Sequence, residues 1–219
     1  MTAMPTQRNM PMRHAFNALA VATLASALAV QADGAETELE TIVVTATRVE
    51  RSLADVARSL SVIDRLEIES IQARSVAGVL AYQPNVSISG GPRPSLQTVN
   101  IRGLTGNKVL QTIDGARMSF ESGHRPSYFV DPELLQRVEA LRGPAGSLWG
   151  SGALGGVVAQ STIEPGNLLG ARAVGGFLRT GLNSNNGQST TTLAIAGRRG
   201  ATDGLVSGYY RSSDDLDLG

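Results

Sequence analysis

The chain contains no cysteine. That excludes a disulfide framework, a thiol nucleophile and a Cys-ligated zinc site. Aromatic residues make up 4% of the sequence, which is little for a large aromatic core. Net charge is missing too, since 19 Lys and Arg offset 19 Asp and Glu; bulk electrostatics gives no reason to expect a nucleic-acid partner. There are two histidines, His14 near the amino terminus and His124. With so few candidate bases and no evident nucleophile–base pair, an enzyme is disfavoured. Long apolar runs are also scarce. The run Ala15 to Val30 is diluted by Asn17, Thr23 and Ser26, and it is short against the ~20 residues of a membrane-spanning helix.

That run has a different meaning in its context. Arg8, Arg13 and His14 precede it, Val30-Gln31-Ala32 supplies small residues at the positions a signal peptidase reads, and Asp33 and Glu36 come next. This is the layout of a secretory signal over residues 1–32, which is cleaved from the exported chain and takes His14 with it.

What the chain has in abundance is glycine, 25 in all. Gly150-x-Gly152-x-x-Gly155 has the spacing of a dinucleotide-binding loop, but that loop needs a helix opening on its last glycine and an acidic residue about 20 positions later. Here the glycines lead into the strand-like Val157-Val158-Ala159-Gln160, and no Asp or Glu occurs between Asn167 and Leu182. The glycines are better read as sites of close backbone approach and positive φ.

Residues 33–59 are polar around one island, Thr41-Ile-Val-Val-Thr-Ala46. Its β-branched residues favour extended backbone. The island is disordered, offered to a partner as an added strand, or an ordinary first strand of the next domain. From Leu60 to Ile163 the pattern predicts a compact unit of short strands and helices. Strands are expected at 60–63, 86–89, 98–101, 109–113, 138–141 and 156–162. Asp64 and Ser75 are placed to cap helices reaching Ile71 and Tyr82. Residues 116–131 read as a polar loop holding His124, and Asp131-Pro132 as the start of a helical turn. Beyond a Pro165-Gly166 break, 171–182, 189–198 and 204–211 read as strands with weak alternation, a pattern shared by outer-membrane strands and soluble antiparallel ones.

Taken in order, the signal, Thr41–Ala46, Val99-Asn-Ile-Arg-Gly103, Ile113-Asp-Gly115, Arg137-Val-Glu-Ala-Leu-Arg-Gly-Pro144 and Gly150-Ser-Gly-Ala-Leu-Gly-Gly156 resemble the TonB-dependent outer-membrane receptors. The resemblance implies an α+β plug domain, a small mixed sheet with short helices, over 60–165. It also implies a periplasmic linker over 33–59 and about three first antiparallel strands of an incomplete outer-membrane β-barrel over 166–219. A barrel of about 22 strands is wide enough to need such a plug. The coupling segment would be Thr41, Ile42, Val43, Val44, Thr45 and Ala46, adding as a strand to the periplasmic C-terminal domain of TonB. Arg102 and Arg142 match plug arginines that latch onto barrel carboxylates.

Glu121-Ser-Gly-His124-Arg-Pro-Ser-Tyr128-Phe-Val-Asp-Pro132 looks like the haem-receptor branch. There His124 would be an axial ligand to haem iron, and Tyr128 a secondary contact. The resemblance therefore implies haem as transported ligand with no intrinsic cofactor. The implied partners are TonB, haem or a haemoprotein, and outer-membrane lipid. Two alternatives stand beside it: a ferric-siderophore or cobalamin receptor of the same family, and a truncated product. Three or four strands are far from closing a barrel, and an open sheet edge is not stable in lipid, so a chain ending at Gly219 is expected to be inactive in transport.

Overall fold

Asp64 and Ser75 act as the caps their positions predict. The Asp64 carboxylate accepts the Glu67 N–H at 2.8 Å and the Ser75 hydroxyl accepts the Gly78 N–H at 3.0 Å, each satisfying an otherwise orphaned donor of the first helical turn. The computed structural model describes Ala46 and residues 59–214, apart from 92, 119–120, 123–124, 127–128 and 185–186. Strand β1 (Ser59–Asp64) is followed by helices α1 (Arg65–Ile71) and α2 (Val76–Val79). Strands β2 (Val86–Ser89) and β3 (Thr98–Ile101) pair with each other as a separate ribbon. Next come β4 (Val109–Ile113), β5 (Ala116–Met118) and the two-residue strands β6 (Glu121–Ser122) and β7 (Arg125–Pro126). A 3-10 turn at Pro132–Leu134 leads into β8 (Leu135–Arg142), then α3 (Gly146–Trp149) and β9 (Gly156–Thr162).

The central sheet has the order β1-β8-β9-β4-β5. β8 runs antiparallel to both β1 and β9, while β9 runs parallel to β4. Both faces of this sheet are covered, which is why β8 and β9 read as near-continuous apolar runs instead of alternating ones. On one face Val138, Ala140 and Val158 pack with Ile63, Ile68, Val79, Leu80 and Ile101. On the other, Leu141, Val157 and Ala159 pack with Leu110, Trp149, Ala153 and Ala46.

Several boundaries differ from the sequence reading. The segment 116–131 is not one loop. Asp114 and Gly115 both take positive φ, 48° and 80°, the combination a two-residue hairpin turn demands, so Ala116 doubles back to face Ile113. The helix capped by Ser75 stops at Val79 instead of Tyr82. The glycine-rich run is preceded by the short helix α3 and followed by β9, the reverse of a nucleotide-binding order. At Gly156, φ is +153° and an added Cβ would lie 2.2 Å from the Leu141 carbonyl oxygen, so this glycine permits the close β8–β9 approach.

Helix α4 (Pro165–Leu169) replaces the expected break, with the Asn167 side chain accepting the Glu164 N–H at 2.7 Å. It leads to β10 (Val174–Asn183), β11 (Gln188–Arg199) and β12 (Thr202–Ser212), an antiparallel three-stranded sheet. The fold class is thus as the sequence implied: a mixed sheet with short helices, then antiparallel strands.

Gly156→Ala should destabilise the mixed-sheet domain by roughly 1–3 kcal/mol or more through overpacking. Gly166→Ala, with open space around the added methyl, should stay near neutral. Chemical denaturation of the two variants checks the contrast.

Candidate functional site

Along β10–β12 the side chains separate cleanly by face. Leu178, Leu193, Ile195, Val206 and Tyr210 are exposed on one face, while Phe177, Arg179, Thr192, Tyr209 and Arg211 occupy the intervening positions on the other. That second face meets the mixed-sheet domain through two polar seams.

In the first seam, Arg179 pairs with Glu69 at 3.0 Å and with Glu133. Arg65 joins the same carboxylates, donating to Glu69 at 2.7 Å and lying 3.7 Å from Glu133. The Phe177 ring is shared by the two guanidiniums, 5.0 Å from Arg65 and 5.8 Å from Arg179, a pair of cation–π contacts. In the second seam, Arg211 pairs with the buried Asp131 at 2.9 Å and stacks on Phe129 at 5.2 Å. Phe129 in turn meets Tyr209 edge-on at 6.0 Å. Between the seams lies a polar cavity of about 500 Å³ lined by Arg74, Asp131, Glu133, Arg179, Gln188 and Arg211. Sequence reasoning marks Asp131 only as the start of a helical turn and pairs none of these seam residues with one another. The available signal is the i, i+2 spacing of Phe177 with Arg179 and of Tyr209 with Arg211.

The other candidates fall in different places. Arg142 donates to Ser59 Oγ at 2.9 Å and to Ser61 Oγ at 2.8 Å. Arg102 adopts a positive φ of 53° at the end of β3, and its guanidinium lies next to Gly143. Burial, and after it the adjacent charge of Arg102, lower the Arg142 pKa from the ordinary arginine value; arginine stays protonated nonetheless. Among the described residues neither arginine has a carboxylate partner.

Of the segment 41–46, Thr41 to Thr45 lie outside the described residues. Ala46 is fully buried, and both of its main-chain polar groups are held. Its N–H donates to Glu139 Oε2 at 2.8 Å, and its carbonyl accepts from Trp149 Nε1 at 2.7 Å. The other Glu139 oxygen lies 3.0 Å from Arg137 Nε. His124 and Tyr128 also lie outside the described residues. His124 falls in the sequence between Ser122 and Arg125, which pair across β6 and β7. Among the described residues no group of His, Cys, Asp and Glu could hold a metal ion.

Residues 52–157 match the family described as TonB-dependent Receptor Plug Domain. The chain carries the plug domain of the TonB-dependent receptors. It is 44% identical over 154 residues to the Heme/hemopexin utilization protein C of Haemophilus influenzae, covering 70% of this chain and 21% of that protein. It is 36% identical over 178 residues to the Hemin receptor of Yersinia pestis, covering 81% of this chain and 24% of that one. Among solved structures it resembles a double mutant of the Serratia marcescens hemophore receptor HasR in complex with its hemophore HasA and heme. The TM-score there is 0.65 at 30% identity, over 74% of this chain and 25% of that receptor. The chain thus spans about a quarter of the length of these relatives. The relatives it matches are transport receptors, not enzymes.

Plug and strands should be energetically coupled across the second seam. A double-mutant cycle of Asp131→Ala and Arg211→Ala, read by denaturant unfolding in detergent, should give a coupling energy of roughly 1–3 kcal/mol. The cost of Asp131→Ala alone should be larger, because it strands Arg211 and removes a cap from the Glu133 N–H.

Proposed function

We propose that this chain is part of a TonB-driven outer-membrane receptor for haem. The observation that carries the receptor reading is the two-faced sheet of β10–β12, apolar on one side and bound by charged seams to the plug on the other. Alternation of this kind suits a barrel wall, with Leu178, Leu193, Ile195 and Val206 toward lipid and Tyr210 as an interfacial aromatic. No helix among the described residues is long and apolar enough to cross a membrane; in the barrel-wall reading the strands do the crossing. The haem assignment is supported by the names of the relatives together with the Gly123-His124 context in a segment that ends in Asp131-Pro132.

In this reading His124 is an axial ligand of the transported haem and Tyr128 a secondary contact. Haem is cargo, held by imidazole coordination to its iron. The outer membrane has no ATP, so work must arrive mechanically from TonB through residues 41–46. Arg102 and Arg142 form a latch: two adjacent positive charges, one of them partly desolvated, favour barrel carboxylates on further strands.

Haem titrated into the chain should shift the Soret band, and His124→Ala should weaken that shift. The same shift in both proteins removes His124 from the site, and no shift in either favours a siderophore or cobalamin ligand. For coupling, Ile42→Pro or Val44→Pro should abolish binding of a TonB C-terminal fragment, because proline removes a ladder donor and fixes φ. Unchanged binding in a pull-down or titration would place the coupling segment elsewhere.

A further inference from the structure

We propose that Glu139 and Trp149 are a clamp on the main chain of Ala46, which TonB must open before it can take the end of the coupling segment as a strand. The inference rests on the reading of 41–46 as that segment. Its basis is the chemistry around Ala46. A carboxylate on a central strand is expensive to bury unless it is paired, yet Glu139 is 1% exposed. One of its oxygens is balanced by Arg137 and the other is committed to the Ala46 N–H. The indole N–H of Trp149, also buried, is committed to the Ala46 carbonyl. One donor and one acceptor of a single residue are therefore both satisfied by side chains of the plug.

Those two groups are the ones a β-ladder uses. Strand addition to TonB at Ala46 would need the same N–H and carbonyl. The clamp and TonB therefore compete for one set of hydrogen-bonding groups, and they cannot both hold it. While the clamp is shut, tension on the segment is delivered into β8 through Glu139 and into α3 through Trp149. Glu139 and Trp149 are thus positioning residues for coupling. Trp149 is also supported from behind, since Arg117 donates to the carbonyls of Trp149 and Ser151 and holds the end of the short helix in place.

The test is amide hydrogen exchange on the full chain in detergent, read by NMR at Ala46 and at Val158 in the core of β9, with binding of a TonB C-terminal fragment measured in parallel. Trp149→Phe keeps an aromatic ring and deletes the donor, and Glu139→Met keeps the length of the side chain and deletes the acceptor. Each should speed exchange at Ala46 by about tenfold or more, the loss expected for one buried hydrogen bond. Exchange at Val158 should hold, which shows that the plug remains folded. Both variants should bind the TonB fragment more tightly, by up to about tenfold. Unprotected exchange at Ala46 in the unsubstituted chain, or unchanged exchange in both variants, overturns the clamp. Faster exchange with unchanged TonB affinity overturns the competition. No binding of TonB to any form, the unsubstituted chain included, overturns the coupling reading, while the exchange rates still decide the clamp.

Discussion

The β8–β9 pair, buried on both faces, is the constraint on which the rest of the structure depends. Two covered faces mean two separate cores, one under α1 and α2 and one under α3. Two covered faces also leave no solvated side on which a charge can sit. Glu139 breaks that rule in the middle of β8: Arg137 offsets its charge as an ion pair and the Ala46 N–H hydrogen-bonds Oε2, while Oε1 accepts no hydrogen bond among the described residues. The register of this pair is fixed by Gly156, where only the absence of a Cβ lets the backbone of β9 lie against Leu141.

Attachment to the strands obeys a different logic. The three-stranded sheet places arginines and aromatics toward the plug, and the plug answers with Glu69, Glu133 and Asp131. The family resemblance assigns plug arginines to barrel carboxylates. The seams have the opposite polarity, with plug carboxylates and strand arginines. The two need not conflict, because Arg102 and Arg142 point to an electrostatic demand separate from the seams. Arginine suits such contacts, since its planar group can pair with a carboxylate while stacking on a ring, as Arg179 does with Phe177 and Arg211 with Phe129.

Much of the fold is legible in the sequence because local signals agree with tertiary need. The strands 86–89, 109–113 and 156–162 match to the residue, and the caps at Asp64 and Ser75 form as the side chains suggest. The helices at 146–149 and 165–169 are illegible for a physical reason. Each is about one turn long, too short to carry a 3.6-residue period. Pro165 reads as a breaker when isolated, yet it is suited to a first helical position. The seams are hidden because a pairing such as Arg179 with Glu69 depends on how the strands dock on the plug, and no window of sequence contains both. For Ala46 the sequence marks the segment but not its burial. An alanine among β-branched residues gives no sign that its backbone will be the part recognised.

The two ends of this arrangement lie on opposite sides of the same sheet. Ala46 is held in the core beneath α3, while the seams engage α1 and the turn before β8, on the other face. A force applied at the first and resisted at the second does not simply drag the plug along one line. It acts as a torque on the β8–β9 ladder, and the hydrogen bonds between these strands are the hinge pins that bear it.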